Sequence, residues 1–369
     1  MRRKLMPDWG FLDQLRPIVL AVFVTISMFS GTIILVGGVA GNTGGGVSCG
    51  SVTYDGSGTT SDPYKVSTAS QLQCIEEQGL DSNYVLTSDI NLDEPFNPIG
   101  NDSTPFTGEF NGTGHTISDL NISQPSTDDI GLFGVSEGRI EQVTLSNVSV
   151  TGGDNVGALA GDQTGNVVNV SASGTVSGGD NVGGLVGRYD GTSNIDMTQS
   201  SAAVNVTGNA NVGGLIGFTE NAEQSITYSS ASGSVTGDHN VGGLVGLADY
   251  FGGTANMYWN YASGDVEATG SQGNVGGLVG KSAAGRIQES YATGNVTGAR
   301  RVGGLVGVQK DNAGGYGAGI SDSYANGTVN GGSKTGGLVG RSAGTVRTSY
   351  AAGDVIDGTT VGGLVGDND

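Results

Sequence analysis

Histidine, cysteine and proline are scarce in this 369-residue chain, which holds two, two and seven of them. The commonest metalloprotease pattern needs two histidines one helical turn apart with a glutamate as base. His115 and His239 stand 124 residues apart in Gly-rich surroundings, so that chemistry is excluded. Two cysteines build no cysteine-rich zinc spacing, and neither a Ser/His/Asp elbow nor a phosphate loop is present. We expect a non-enzymatic chain with no catalytic residue, no metal and no cofactor. Too little proline, and glycines that do not fall every third residue, exclude collagen. Aromatic residues are 6% of the chain against 70 glycines, which argues against a conventional bulky core. Cations are few as well: 15 Lys and Arg face 35 Asp and Glu, for a net charge of −20, which excludes a nucleic-acid partner. Only five of the cations are lysine. An acidic, lysine-poor surface suits a protein working in high salt, and equally an ordinary acidic secreted protein.

What is present is repetition. Asn-Val-Gly-Gly-Leu-Val-Gly occurs at 181–187, 240–246 and 274–280, with variants from Gly131 to Gly366. The nine phrase leucines, Leu132, Leu159, Leu185, Leu215, Leu244, Leu278, Leu305, Leu338 and Leu364, lie 26 to 34 residues apart. That period belongs to stacked coils. The fold class is all-β: a β-solenoid, or β-helix, of about nine coils, roughly 40 Å long at the spacing of hydrogen-bonded strands.

A second phrase, Ser-Tyr-Ala-x-Gly-x-Val, stands before the first at 290–296, 323–329 and 349–355. Its alanine and valine share one face of a strand, directed inward, with a glycine between them. The glycine pair before each leucine is expected to form a corner whose φ values side chains forbid. Like residues fall in columns. Asn155, Asn181, Asn211, Asn240 and Asn274 predict an axial amide ladder, and Tyr261, Tyr291, Tyr324 and Tyr350 a ring ladder. Asp154 and Asp180 occupy adjacent coils, as a solvated acidic edge or, in the rival reading, a calcium site.

The N-terminal part is divided from the repeats. Residues 1–17 form a basic leader and 18–36 an uncharged stretch long enough to span a bilayer, with Arg2, Arg3, Lys4 and Arg16 before it. Two readings stay open: an uncleaved membrane-spanning helix with the repeats outside, or a signal segment cleaved after Ala40. The long leader favours the anchor. Residues 37–61 read as a Gly/Ser/Thr-rich linker, 62–130 as an N-terminal cap with the first strands, and 131–369 as the repeats. Thr68 to Gly79 predicts a short capping helix with a Thr68/Gln71 capping box. Tyr84 to Leu92 and Phe106 to Ile122 predict strands, the latter paired across tight turns at Asn111-Gly112 and Thr113-Gly114. Cys49 and Cys74 could form a disulfide in an oxidising compartment, or stay as thiols.

These residues resemble the GLUG-repeat family, named for its Gly-Leu-apolar-Gly core. Phe106 to Ile117, with Asn111 where the family usually has Asp, and Asp62-Pro63-Tyr64 through Leu72 are similar to the segments that lead into such arrays. The resemblance implies a β-solenoid on a cell surface or secreted, and no particular ligand.

Specificity is expected in the loops after each phrase. Tyr250, Phe251, Tyr258 and Trp259 form the densest aromatic cluster of the repeats, suited to stacking on a sugar or anchoring a protein, or else packing against the flank. Export would make the sequons at Asn101, Asn111, Asn121, Asn147, Asn169, Asn205, Asn295 and Asn326 candidates for glycosylation. The function expected is adhesion, surface recognition or extracellular structure, with an unidentified surface glycan or protein as partner and the membrane engaged through the N-terminal segment. The alternatives are a carbohydrate-active β-helix enzyme and a self-assembling component docking end to end at its C-terminal coil.

Overall fold

The computed structural model describes residues 48–191, 195–220, 225–249, 256–283, 285–310 and 319–369. The leader, the apolar stretch 18–36, Tyr250 and Phe251 lie outside the described residues. Among the described residues no helix is long and apolar enough to cross a membrane.

The chain winds as a β-solenoid. Among the described residues its strands form four sheets, of eleven, nine, sixteen and seven strands. One coil shows the path: Val182–Gly183 lies in the seven-stranded sheet, Val186–Tyr189 in the nine-stranded, Asp196–Thr198 in the eleven-stranded and Ser201–Thr207 in the sixteen-stranded. Each strand pairs in parallel with its equivalents in the coils before and after, as Val186 does with Ala160 and Ile216. Pairing between coils satisfies most of the backbone along the axis, so the interior is filled mainly by apolar side chains.

Those side chains are the predicted ones. Leu159, Leu185, Leu215, Leu244, Leu278, Leu305 and Leu338 are fully buried, and Ala202 with Val206 or Ala231 with Val235 fill the opposite wall. The phrase glycines work differently from expectation. Neither Gly183 nor Gly184 adopts positive φ, but a Cβ on Gly184 would sit 2.1 Å from the carbonyl oxygen of Gly214 in the next coil. Close backbone approach, not a forbidden torsion, demands glycine here. Positive φ falls two residues before the first phrase glycine, on Asn155 (54°), Asn181 (56°), Asn211 (56°) and Asn240 (51°), the residue type that best tolerates the left-handed region after glycine.

The predicted pairing of Phe106 to Ile122 is corrected. Phe110–Asn111, Thr116–Ser118 and Asn121–Ser123 do not pair with one another; Phe110 pairs in parallel with Tyr84 and Ile140 in neighbouring coils. The segment already belongs to the solenoid. Its eleven-stranded sheet begins at Tyr64–Val66, before the first leucine phrase. The alternating code was legible, but turn residues alone do not distinguish a hairpin from a corner of a coil.

The expected single helix is broken in two, α1 at Ala69–Gln73 and α2 at Ile75–Gln78, with Cys74 between them at φ −91° and ψ 9°. The Thr68 hydroxyl accepts the amide of Gln71 at 3.2 Å, while Gln71 Oε1 reaches back to the amide of Ser67 at 2.8 Å. Leu72 and Ile75 enter the same apolar interior as the first coils. Cys74 is bonded to Cys49, with Cα atoms 5.5 Å apart.

Candidate recognition surface

Three axial columns of polar side chains hold the coils in register. In the first, each asparagine amide donates to the side-chain oxygen one coil earlier, at 2.7–2.8 Å from Asn274 back to Asn155, whose own amide donates to Asp129. Arg301 donates to Asn274 at 3.1 Å, so the ladder runs from a cation to a carboxylate. Burial and the neighbouring Asp102 and Asp128 push the Asp129 carboxyl up, against the Asn155 bond.

The second column is the predicted acidic pair. Asp154 Oδ1 accepts the amide of Asp180 at 2.8 Å, and Asp180 Oδ1 accepts the amide of Ala210 at 3.2 Å. Both carboxylates thus satisfy backbone of the following coil. Among the described residues no group of three His, Cys, Asp or Glu side chains is placed to hold a metal ion. His115 lies 3.2 Å from Asp89 on the surface.

The third column was not foreseen. The serine of the second phrase is buried: Ser229 Oγ accepts the amide of Ser200 at 3.2 Å and donates to the Thr227 carbonyl at 2.9 Å. Ser290 and Ser323 repeat the arrangement, and Asn260 takes the same place. The signal was a polar residue two positions before each inward alanine from Ala202 onward.

Aromatic side chains occupy the outer surface of these coils. Tyr261, Tyr291, Tyr324 and Tyr350 stack as predicted, with centroids 4.9–5.2 Å apart and planes within 7°. Of the predicted aromatic cluster, Tyr258 is half-buried and Trp259 exposed. Trp259 stacks on Tyr228, a residue sequence reasoning missed, at 4.8 Å and 10°. Aligning the inward alanines would have found it, since Tyr228 and Trp259 each stand three residues before one, Ala231 and Ala262. Indole Nε1 donates to Glu289 Oε2 at 2.6 Å, fixing the ring.

The turn that carries this pair is left-handed in successive coils: Asn169 (54°), Gln199 (53°), Tyr228 (53°), Trp259 (55°) and Glu289 (49°). Bulky aromatic residues are poor occupants of that region, at a cost of about 1–2 kcal/mol each. Ring stacking offsets ~0.5–1.5 kcal/mol of it. Tyr228 and Trp259 nevertheless remain 57% and 44% exposed.

The same repeats are found elsewhere. The family model described as "The GLUG motif" matches residues 208–236 and 271–297. This chain carries GLUG repeats. It is 41% identical over 139 residues, a third of its length, to halomucin of Haloquadratum walsbyi, and 35% identical over 134 residues to a candidate Gly-rich membrane protein of Evansella cellulosilytica. The matches span 2% and 16% of those proteins. A crystal structure of a candidate immunoglobulin A1 protease from Bacteroides ovatus superposes over 80% of this chain and 85% of that one, with a TM-score of 0.55 at 20% identity. At that identity the likeness shows a shared fold alone.

Among the sequons, Asn111 is half-buried and the other seven are exposed. Asn111 Nδ2 donates to Glu141 Oε1 at 2.6 Å, whereas Asn205 and Asn295 direct their side-chain oxygens to the next coil's amides.

Proposed function

We propose that this chain is a non-enzymatic surface or secreted repeat protein that recognises a partner through aromatic side chains on its outer face. The observation that carries the reading is the Tyr228–Trp259 tier: two stacked, exposed rings held at a turn that disfavours them. The names of its relatives, a halomucin and a Gly-rich membrane protein, support a surface setting and, with the net charge of −20, a saline one. Asp154 and Asp180, the nearest carboxylate pair to what a lyase or hydrolase would need, each accept a backbone amide of the following coil, which supports a structural part for them. Residues 18–36 serve as the membrane anchor, α1 and α2 shield the first coil, and the exposed sequons carry glycans. The partner is a surface glycan or protein.

The test is a glycan array and whole-cell binding with the full chain in molar salt, wild type against the Tyr228→Ala, Trp259→Ala double variant. Binding lost in the variant while its circular dichroism is unchanged supports recognition at the tier. Binding retained by the variant removes the tier from the reading.

A further inference from the structure

One column of the surface changes character abruptly. Register places Thr144, Ser171, Ser201, Ser230 and Tyr261 in line, one per coil, and from Tyr261 onward every occupant is tyrosine. The ring stack therefore ends at Tyr261, whose one face lies on Tyr291 at 5.2 Å and whose other face looks along the axis over Ser230. At a coil spacing of about 4.8 Å, the hydroxyl row in front of that ring, Thr144 to Ser230, is roughly 14 Å long.

A trough of about 340 Å³ occupies this step. Its floor is the hydroxyl row with the small residues beside it, Ala203 and Ser232 among them, and Tyr261 is its end wall. No charged side chain lines it, although the chain as a whole carries a charge of −20. Tyr261 is 39% exposed, so the wall is open to a ligand.

We propose that this trough is a second binding site, distinct from the Tyr228–Trp259 tier, and that it takes an extended, uncharged glycan lying along the solenoid axis. A pyranose ring has an apolar C–H face that matches an aromatic ring and equatorial hydroxyls that match a row of serines. Tyr261 supplies the former at one end and Ser171, Ser201 and Ser230 the latter. The absence of charge in the lining offers acidic sugars no counter-ion, and the chain's net charge of −20 would also repel them. A tyrosine-bearing peptide could extend the ring stack but would offer few groups to the hydroxyl row, in which Ser171 Oγ already donates to Thr144 Oγ1 at 3.1 Å, so the glycan is the better fit.

The experiment is saturation-transfer NMR with the full chain and three probes, cellohexaose, maltohexaose and xylohexaose, with oligogalacturonate and the peptide Tyr-Gly-Tyr for comparison. Two variants change the wall in opposite ways. Tyr261→Ala removes it, and Ser230→Tyr covers it with one more ring in the geometry that Tyr261 and Tyr291 already share, so neither should unfold the chain. The result expected is transfer to at least one neutral hexaose, reduced at least tenfold in both variants and unchanged in Tyr350→Ala and in Trp259→Ala. Insensitivity to Trp259→Ala separates this site from the tier. Transfer to no neutral hexaose, to oligogalacturonate or the peptide in preference, or transfer that survives Ser230→Tyr, overturns the proposal.

Discussion

The side-chain amide of Asn211 donates to the side-chain oxygen of Asn181 at 2.8 Å, across 30 residues of chain, and both residues hold φ at 56°. One residue type thus meets two demands, a left-handed corner and an axial bond. Asn211→Val fails both, at roughly 1–2 kcal/mol for the backbone and ~1 kcal/mol for each of two amide bonds. Asn211→Gly fails only the second. Urea unfolding should rank wild type above Asn211→Gly and Asn211→Gly above Asn211→Val; equal stability of the two variants would remove the corner from the explanation.

A Cβ on Gly264 would lie 1.9 Å from the carbonyl oxygen of Gly233, and its φ is not in the left-handed region, so the cost of Gly264→Ala is contact alone. Overpacking of this kind costs about 1–3 kcal/mol. Gly50→Ala meets nothing within 4 Å and should change stability by less than ~0.5 kcal/mol. Thermal melts of the two variants check the contrast.

Tyr228→Asn and Trp259→Asn exchange a ring for the residue that Asn169 already presents at that turn. Relief of backbone strain and loss of stacking nearly cancel, so stability should move by no more than about 1 kcal/mol while partner binding disappears. A large loss of stability with binding intact would make the rings structural.

Burial pushes the carboxyl of Asp162 up to about 6, against the pull of Arg188, with Asp129, Asp190 and Asp102 adding to the rise. The folded chain therefore holds this proton more tightly than the unfolded chain does. The stabilisation from that proton is full below the ordinary carboxylate value of 3.8 and is lost as pH rises through about 6. Asp162→Asn should match wild type near pH 4 and gain on it progressively by pH 7. Paired melts across that range check the sign; a constant difference would rule out titration at Asp162.

The Cys49–Cys74 bond closes a separation of 25 residues and ties Cys74, between α1 and α2, to the segment ahead of the first coil. Replacing both cysteines by serine should cost about 3 kcal/mol in the chain-entropy model. Amide exchange should rise first in residues 48–79 and leave the later coils protected.

The solenoid and its inward leucines, alanines and valines were legible because every coil repeats the same burial problem, and repetition separates signal from chance. The asparagine and tyrosine ladders were legible for the same reason. What escaped was conformation that depends on the neighbouring coil. Gly184 reads as a torsional glycine until Gly214 is seen above it, and Phe110–Asn111 reads as half a hairpin until its parallel partners are placed. Tyr228 was missed because the loop before it varies in length, so only alignment on Ala231 brings it over Trp259.

The asparagine ladder is bounded by Arg301 at one end and Asp129 at the other, and every link between them is the same bond. Excision of 211–239 would set Asn240 directly upon Asn181 and restore an identical link. Such a polypeptide can be lengthened or shortened by recombination between its own repeats without altering either terminus of the ladder. The ladder itself is indifferent to how many copies it joins, while the joints between copies are fixed.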